Sequence, residues 1–372
     1  MKYKVTIGTA IAATKYLSIP IWCWPPPVQA SKWVVRRHNI CGWVALVHLL
    51  LSTFSMIYNM YLNRSDIDRC IKVLADTVAL VSACLRILIC KKERLRLQVL
   101  LAEMEKFVRQ ATGKEEELIQ AYVDRCLVLH TTVFVSCIAG PIFFIAGPIF
   151  LPQPFPGDFA YPFEVKSTWL WLCLYIMQSI CVLQVGSMIM VDILYAMLLW
   201  YAGLRFELLN LELQKITNMD ELRSCVESHQ KLIRYTDKLT ASTRFMAAEI
   251  SSVAMFAITT AGFVIIRRPS TYDLVKYVFF ETASATELLL FSWPADHLLK
   301  VSEGVGASVF NSHWIGKSPT MLRNILSIMQ RSQQPALIYV DGLVPVLSLA
   351  FYGSTISASF SYLTTLCALV GD

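Results

Sequence analysis

Apolar residues run along this chain in blocks long enough to cross a lipid bilayer, and polar residues gather between the blocks instead of alternating with them. A span of about 20 apolar residues covers roughly 30 Å of hydrocarbon. Windows of that kind fall at 40–61, 71–90, 126–151, 169–202, 246–266, 277–299 and 343–369. Each must satisfy its backbone polar groups internally, which makes it a helix. The pattern predicts an all-α membrane protein with seven transmembrane helices. A helical period continues past several of the windows. The fourth extends through Trp200, Phe206, Leu208 and Leu211; residues 218–244 carry Leu222, Val226, Leu232 and Leu239 at amphipathic spacing; and residues 301–329 place Trp314, Leu322, Ile325, Leu326 and Met329 on one face. Such faces outside the bilayer need a partner surface. In the third loop, which faces outward, Pro152-Gln153-Pro154-Phe155-Pro156-Gly157 stops any helix and predicts a rigid cap.

Composition agrees with the pattern. The chain is 55% apolar with a mean hydropathy of +0.52, beyond the range of an ordinary soluble domain. The net charge of +6 matters mainly through its distribution, because Lys and Arg set orientation. Lys2, Lys4, Lys15, Lys32, Arg36 and Arg37 precede the first span. Further basic residues crowd the second-to-third loop (Lys91, Lys92, Arg94, Arg96, Lys106, Arg109, Lys114) and the fourth-to-fifth (Lys215, Arg223, Lys231, Arg234, Lys238, Arg244). The alternate loops hold few. A cytoplasmic N-terminus and an extracellular C-terminus follow, the reverse of a G-protein-coupled receptor. Asn63-Arg64-Ser65, a candidate N-glycosylation site at Asn63, falls in the first outward loop. Residues 1–13 mimic a signal peptide, but Thr6 and Thr9 interrupt the apolar run and Lys15 follows it.

Enzyme chemistry finds no support. No nucleophile has a paired base, and His297 and His313 lack partners at ligand spacing. Neither a metal site nor a cofactor is expected, and nothing points to nucleic acid; membrane lipid is the surrounding partner. The eleven cysteines show no pairing pattern in the outward loops, and most read as small apolar packing residues. Ionisable groups at bilayer depth are costly and therefore suspect: Asp76, Asp192, Glu249, Glu281, Glu287, Asp296 and Asp341. They fit either a bundle interior with hydrogen-bonded neighbours or a proton-coupled transporter, and Asp341 stands out as a candidate for lining a cation path. The last window carries Ser354, Thr355, Ser357, Ser359, Ser361, Tyr362, Thr364 and Thr365, more hydroxyls than lipid contact asks for.

Several segments together resemble the insect odorant receptors. They are Tyr16 to Pro25 with its Trp22-Cys23-Trp24, then Phe291-Ser292-Trp293-Pro294-Ala295-Asp296-His297-Leu298, the run from Val301 to Val309, Ser312-His313-Trp314, Arg331 to Pro335, and the terminal stretch around Ser361-Tyr362. The likeness is strongest from Phe291 onward. It implies a ligand-gated non-selective cation channel of four subunits in the plasma membrane of olfactory sensory neurons. In it the last helix lines the pore and cytoplasmic helices form an anchor. By position, the family's gate falls near Thr365, Ala368 and Leu369, where Thr365 departs from the more apolar gate common in the family. Gustatory receptors share the architecture but end on a glutamine–phenylalanine pair where Cys367-Ala368-Leu369 stands here. The obligate coreceptor carries a long insertion after its fourth span that this chain lacks. The resemblance therefore implies a tuning subunit partnered by the coreceptor, taking a small volatile organic ligand.

On that reading 1–37 is a cytoplasmic segment, 38–300 holds six spans and the ligand pocket, 301–338 forms anchor helices and 339–372 the pore helix. The family's pocket lies between the second, third, fourth and sixth spans. Its candidate residues here are Trp171, Tyr175 and Gln178, Tyr277 and Phe280, Thr77, and Phe134 with Ile138. Gln178 or Tyr175 is expected to read a ligand oxygen.

Overall fold

The structure, a computed structural model, describes residues 5–150, 153–267 and 270–370, the side chains of Leu366, Leu369 and Val370 excepted. Among these residues the chain forms helices and connecting turns. They are α1 (Ile7–Leu17), α2 (Lys32–Leu62), α3 (Ile67–Gln110), α4 (Lys114–Phe150), α5 (Thr168–Ser187), α6 (Ile189–Leu213), α7 (Met219–Ile266), α8 (Thr271–Phe310), α9 (Pro319–Ser332) and α10 (Leu349–Val370). Starts are fixed by side-chain caps: Ser31, Asp66, Asn218 and Ser318 each accept a hydrogen bond from an N–H three residues on, satisfying donors that a helix leaves orphaned. Five helical stretches are long and apolar enough to cross a membrane: α2, α3, α4, α5 running into α6, and α7. α8 and α10 cover the two remaining windows.

α6 forms the centre. Every residue from Ile189 to Leu204 is buried, with α7, α8 and α4 packed around it. By contrast α2 shows Trp43, Val44, Val47, Leu51 and Phe54 on its outside. In a bilayer such a face costs nothing, because lipid tails are as apolar as the side chains.

Three elements differ in detail from the sequence pattern. The fourth window runs through but tightens at one residue: α5 ends at Ser187 and α6 starts at Ile189, while Met188 between them keeps helical dihedrals and bonds its amide three residues back to Val185, as a Gly186-Ser187 pair permits. The amphipathic stretch after residue 218 is not a separate element but the first half of α7, which runs unbroken into the fifth window. The last helix begins at Leu349 instead of 343, because residues 338–347 fold back on themselves. Val340 and Val344 exchange backbone hydrogen bonds, and the Leu347 amide donates to the Ile338 carbonyl. Gly342 takes φ +77, the left-handed region that favours glycine, and Pro345 has no N–H to continue a helix. Ser348 then caps α10, its oxygen accepting from the Phe351 amide at 3.2 Å, and Asp296 of α8 reaches the Leu349 amide at 3.4 Å.

α9 is the most amphipathic element. It buries Met321, Ile325 and Ile328 against α8, whereas Leu326 is left exposed. Gly306 makes this crossing close, since a β-carbon there would lie 2.5 Å from the Ser332 hydroxyl. Gly306→Val is expected to push α9 off α8 and lower the yield of monodisperse protein in detergent chromatography, whereas Gly353→Ala, where a β-carbon meets nothing, leaves the yield unchanged.

Candidate ligand-binding site

One end of the bundle gathers the α2–α3 turn, the long α4–α5 connection and the α7–α8 turn. Just inside it lies a cavity of about 260 Å³. Its walls come from α3 (Ala75, Asp76, Val78, Ala79), α4 (Val133, Ser136, Gly140, Phe144), α5 (Cys181, Val185), α7 (Ala257, Ala261) and α8 (Lys276, Phe279, Phe280, Ala283, Glu287), with Pro156, Gly157 and Phe159 above. Phe280 stacks on Phe144 with ring centroids 5.8 Å apart. An apolar cavity with a few convergent polar groups is the usual form of a small-molecule site.

The residues expected from sequence take different places around it. Phe280 is a wall. Tyr277 is fully buried behind that wall, its hydroxyl donating to the Lys72 carbonyl at 3.2 Å. Thr77 lies between two lining residues but spends its hydroxyl on the Val73 carbonyl at 2.7 Å. Trp171, Tyr175 and Gln178 do share one face of α5, and that face holds the roof. The Trp171 indole donates to Pro154 O (3.1 Å) and the Tyr175 hydroxyl to Ile145 O (2.6 Å). The Gln178 amide accepts from Gly157 N (3.1 Å) and donates to the Tyr161 hydroxyl (3.0 Å). Phe134 and Ile138 line a second apolar cavity of about 290 Å³, between α1, α4 and α6 toward the other end of the bundle. Asn63 is the residue just past α2 and hydrogen-bonds Asn59.

Beneath the cavity sits a group that the sequence reading did not single out. Arg86 on α3 has no exposed surface and meets a carboxylate from each of three other helices: Asp192 of α6 at 2.5 Å, Glu287 of α8 at 2.8 Å and Glu249 of α7 at 3.3 Å. Ser82 donates to Glu249 as well. The signal was present: an arginine in the middle of an apolar window must find its counter-ions inside the bundle. Glu287 also lines the cavity, so the ionic cluster is part of its floor. A second pair, Lys276 with Asp76 at 2.6 Å, lies in the cavity wall itself.

Toward the opposite end, Tyr122 of α4 donates to Glu207 of α6 and meets His297 of α8 at 2.6 Å, with Trp200 and Trp293 packed beside them. Past that end, a third, polar cavity of about 590 Å³ lies between α7, the α9 end and the 333–341 segment, and Asp341 is on its rim. Burial, helped by the nearby Arg331, holds the His229 imidazole there below its ordinary pKa, so it is neutral at physiological pH.

α10 packs one stripe, Thr355, Ser359 and Leu363, against its neighbours and leaves Ser354, Ser357, Phe360, Ser361, Thr364, Thr365 and Ala368 exposed. Leu369 belongs to the described helix, but its side chain lies outside the described residues, as does Asp372. The α10 contact with α7 is close at Gly262, where a β-carbon would fall 2.6 Å from Leu363, and Thr259 reaches the Ser359 carbonyl at 3.5 Å.

Comparison with known proteins now gives the class. A sequence profile described as 7tm Odorant receptor matches residues 54–360. Odorant receptor 13a of Drosophila melanogaster is 23% identical over 66% of this chain and 65% of its own length. Odorant receptor Or2 of Anopheles gambiae is 24% identical over 39% of this chain and 38% of its own. The matched stretch thus spans less than two thirds of these relatives. The fold agrees with the olfactory receptor OR5 of Machilis hrabei, at TM-score 0.80 and 13% identity over 96% of this chain and 98% of that one. The same receptor in complex with eugenol gives TM-score 0.79 over 97% of both chains. This is a multi-pass, all-helical membrane protein of the olfactory receptor class. The chain belongs to the insect odorant receptor family.

Proposed function

We propose that this chain is the odorant-binding tuning subunit of a heteromeric, ligand-gated, non-selective cation channel. It would work beside the odorant coreceptor in the plasma membrane of olfactory neurons, with seven spans, a cytoplasmic N-terminus and an extracellular C-terminus. The observation that carries the reading is the cavity between α3, α4, α5 and α8 together with what lies under it. Glu287 in its floor is tied through Arg86 to Glu249 on α7, and α7 is the helix against which α10 packs at Gly262 and Thr259. A ligand that displaces α8 or α3 by a fraction of an ångström acts on α7, because packed cores shift between discrete arrangements and do not deform smoothly. α10, with its exposed hydroxyl face near Thr365, would border the conduction path, and the α8–α9 hairpin with its exposed Leu326 would meet neighbouring subunits in the anchor.

The test is expression with and without the coreceptor, recorded against a panel of volatiles. The expected result is a ligand-evoked current, carried by sodium and potassium alike, that needs both subunits. Uptake of radiolabelled ligand without such a current would instead mark a transporter. For the pore, cysteine placed at Thr365 or Leu369 is expected to react with an impermeant thiol reagent and block current; unaltered current after demonstrated labelling moves the path elsewhere. Gly262→Val, which wedges α7 from α10, is expected to lower the maximal current more than it shifts the half-maximal odorant concentration, read from full dose–response curves.

A further inference from the structure

The cavity wall holds an ion pair whose hydrogen-bonding capacity is only partly used. Asp76 sits on α3 and Lys276 on α8, their charged atoms 2.6 Å apart, and each side chain keeps a tenth of its surface exposed. Both line the cavity. The Lys276 ammonium donates one hydrogen bond to Asp76 Oδ2 and has two further N–H groups. Asp76 Oδ1 is buried and has no hydrogen-bond partner. A buried carboxylate oxygen with nothing to accept from is an unfavourable arrangement that a bound molecule relieves. Of the other polar groups of the wall, Thr282 and Thr286 donate to backbone carbonyls four residues back and Glu287 is held by Arg86, while the Ser136 and Ser284 hydroxyls are uncharged and supply no fixed donor–acceptor pair. On the roof, Gln178 and Tyr175 are bound to the α4–α5 connection and to α4.

We infer that Asp76 and Lys276 form the polar subsite of this cavity and that it takes the hydroxyl group of a neutral alcohol or phenol. The inference rests on the odorant-binding reading above. A hydroxyl both donates and accepts, so once the Asp76 carboxylate turns its buried Oδ1 toward the cavity, one O–H donates to that oxygen while the ligand oxygen accepts from the Lys276 ammonium. A ketone or ether oxygen accepts from Lys276 but leaves Asp76 unpartnered, and a hydrocarbon satisfies neither. An amine brings a positive charge against Lys276, and a carboxylic acid brings a negative one against Asp76. The pair is neutral as a whole and therefore favours a neutral ligand. Around it Phe280, Phe144, Ala79 and Val133 supply the apolar enclosure for the carbon skeleton.

The experiment uses the full chain with the coreceptor and matched probes: 1-octanol and 2-phenylethanol, each with its methyl ether and parent hydrocarbon, and 2-octanone. The expected order of potency is alcohol, then ketone or ether, then hydrocarbon, with about a tenfold or greater gap between alcohol and ether, the effect of leaving one buried acceptor unpaired. Asp76→Leu combined with Lys276→Met removes both charges together, so neither is left alone in the wall, and is expected to close the alcohol–ether gap to about threefold or less. If the wild-type receptor answers ethers as it answers alcohols, or answers no alcohol in the panel, the hydroxyl assignment is overturned. A double variant that still separates the two as the parent does overturns it equally. If that variant fails to reach the surface, the wild-type potency order decides. Phe144→Ala separates this inference from the one beneath it. Should that variant leave every ligand unchanged while current evoked by a coreceptor agonist persists, the cavity is not the odorant site at all.

Discussion

Arg86→Met is expected to leave almost no receptor at the cell surface. The substitution roughly conserves length and apolar bulk, so packing alone would forgive much of it. What it removes is the cation on which Asp192, Glu249 and Glu287 converge from three helices. Breaking a buried ion pair by deleting one partner costs about 3–5 kcal/mol, and here three carboxylates lose the same partner at once. Against a total folding stability of about 5–15 kcal/mol, that loss is decisive. Arg86→Lys is expected to fare little better, since an ammonium offers a point charge where the guanidinium fork reaches three acceptors in different directions. Partial recovery is expected when Arg86→Met is combined with Asp192→Asn, Glu249→Gln and Glu287→Gln, because the charges then leave together. Surface biotinylation measures all three; normal surface levels for Arg86→Met alone would mean the cluster does not hold the bundle together.

The second large effect is expected at the cavity wall. Phe280→Ala and Phe144→Ala each remove one ring of a stacked pair, and with it apolar contact worth about 1–3 kcal/mol to a bound skeleton. That corresponds to a shift of roughly ten- to a hundredfold in the effective odorant concentration. Current evoked by a direct coreceptor agonist is expected to persist, as neither ring lies on α10. Tyr175→Phe is a useful contrast. It keeps the ring and deletes only the hydroxyl that α5 offers to the Ile145 carbonyl, so a rightward shift there reports loss of support for α4 and not loss of a ligand contact. Dose–response curves across several odorants measure these effects. Unchanged curves in both phenylalanine variants would place the binding site outside this cavity.

The helices, their approximate limits and the membrane class were legible because a bilayer imposes one requirement on every span and writes it as length and hydropathy. What the pattern did not carry was the relation between helices. Phe280 and Phe134 look alike in sequence, each an aromatic on an apolar helix, yet they line different cavities because α4 also faces α1 and α6. Tyr175 and Gln178 were rightly placed on one face of α5, but what that face meets is the returning 154–161 segment, whose path no periodicity encodes. The carboxylates at bilayer depth were visible one by one. That Asp192, Glu249 and Glu287 share Arg86, while Asp76 pairs with Lys276, depends on helix order and rotation; only the pairing of Asp296 with Lys300, four residues apart on α8, follows from spacing. Arg86 carries the same signal as the acids, since a lone base in an apolar window makes an equal demand for a partner.

The hydroxyls of α10 are spent in a particular way. Ser354, Thr355, Ser359, Ser361, Thr364 and Thr365 each give their hydrogen to a carbonyl three or four residues back along the same helix. With the hydrogens turned inward, the exposed members present bare oxygen lone pairs to whatever medium they face. Such a surface is wettable without carrying a charge: it welcomes a partly hydrated cation of any size, offers little to an anion, and has no rigid cage with which to tell sodium from potassium. If α10 borders the conduction path as proposed, permissiveness toward cations becomes a property of how serine and threonine bond within a helix, requiring no acidic ring.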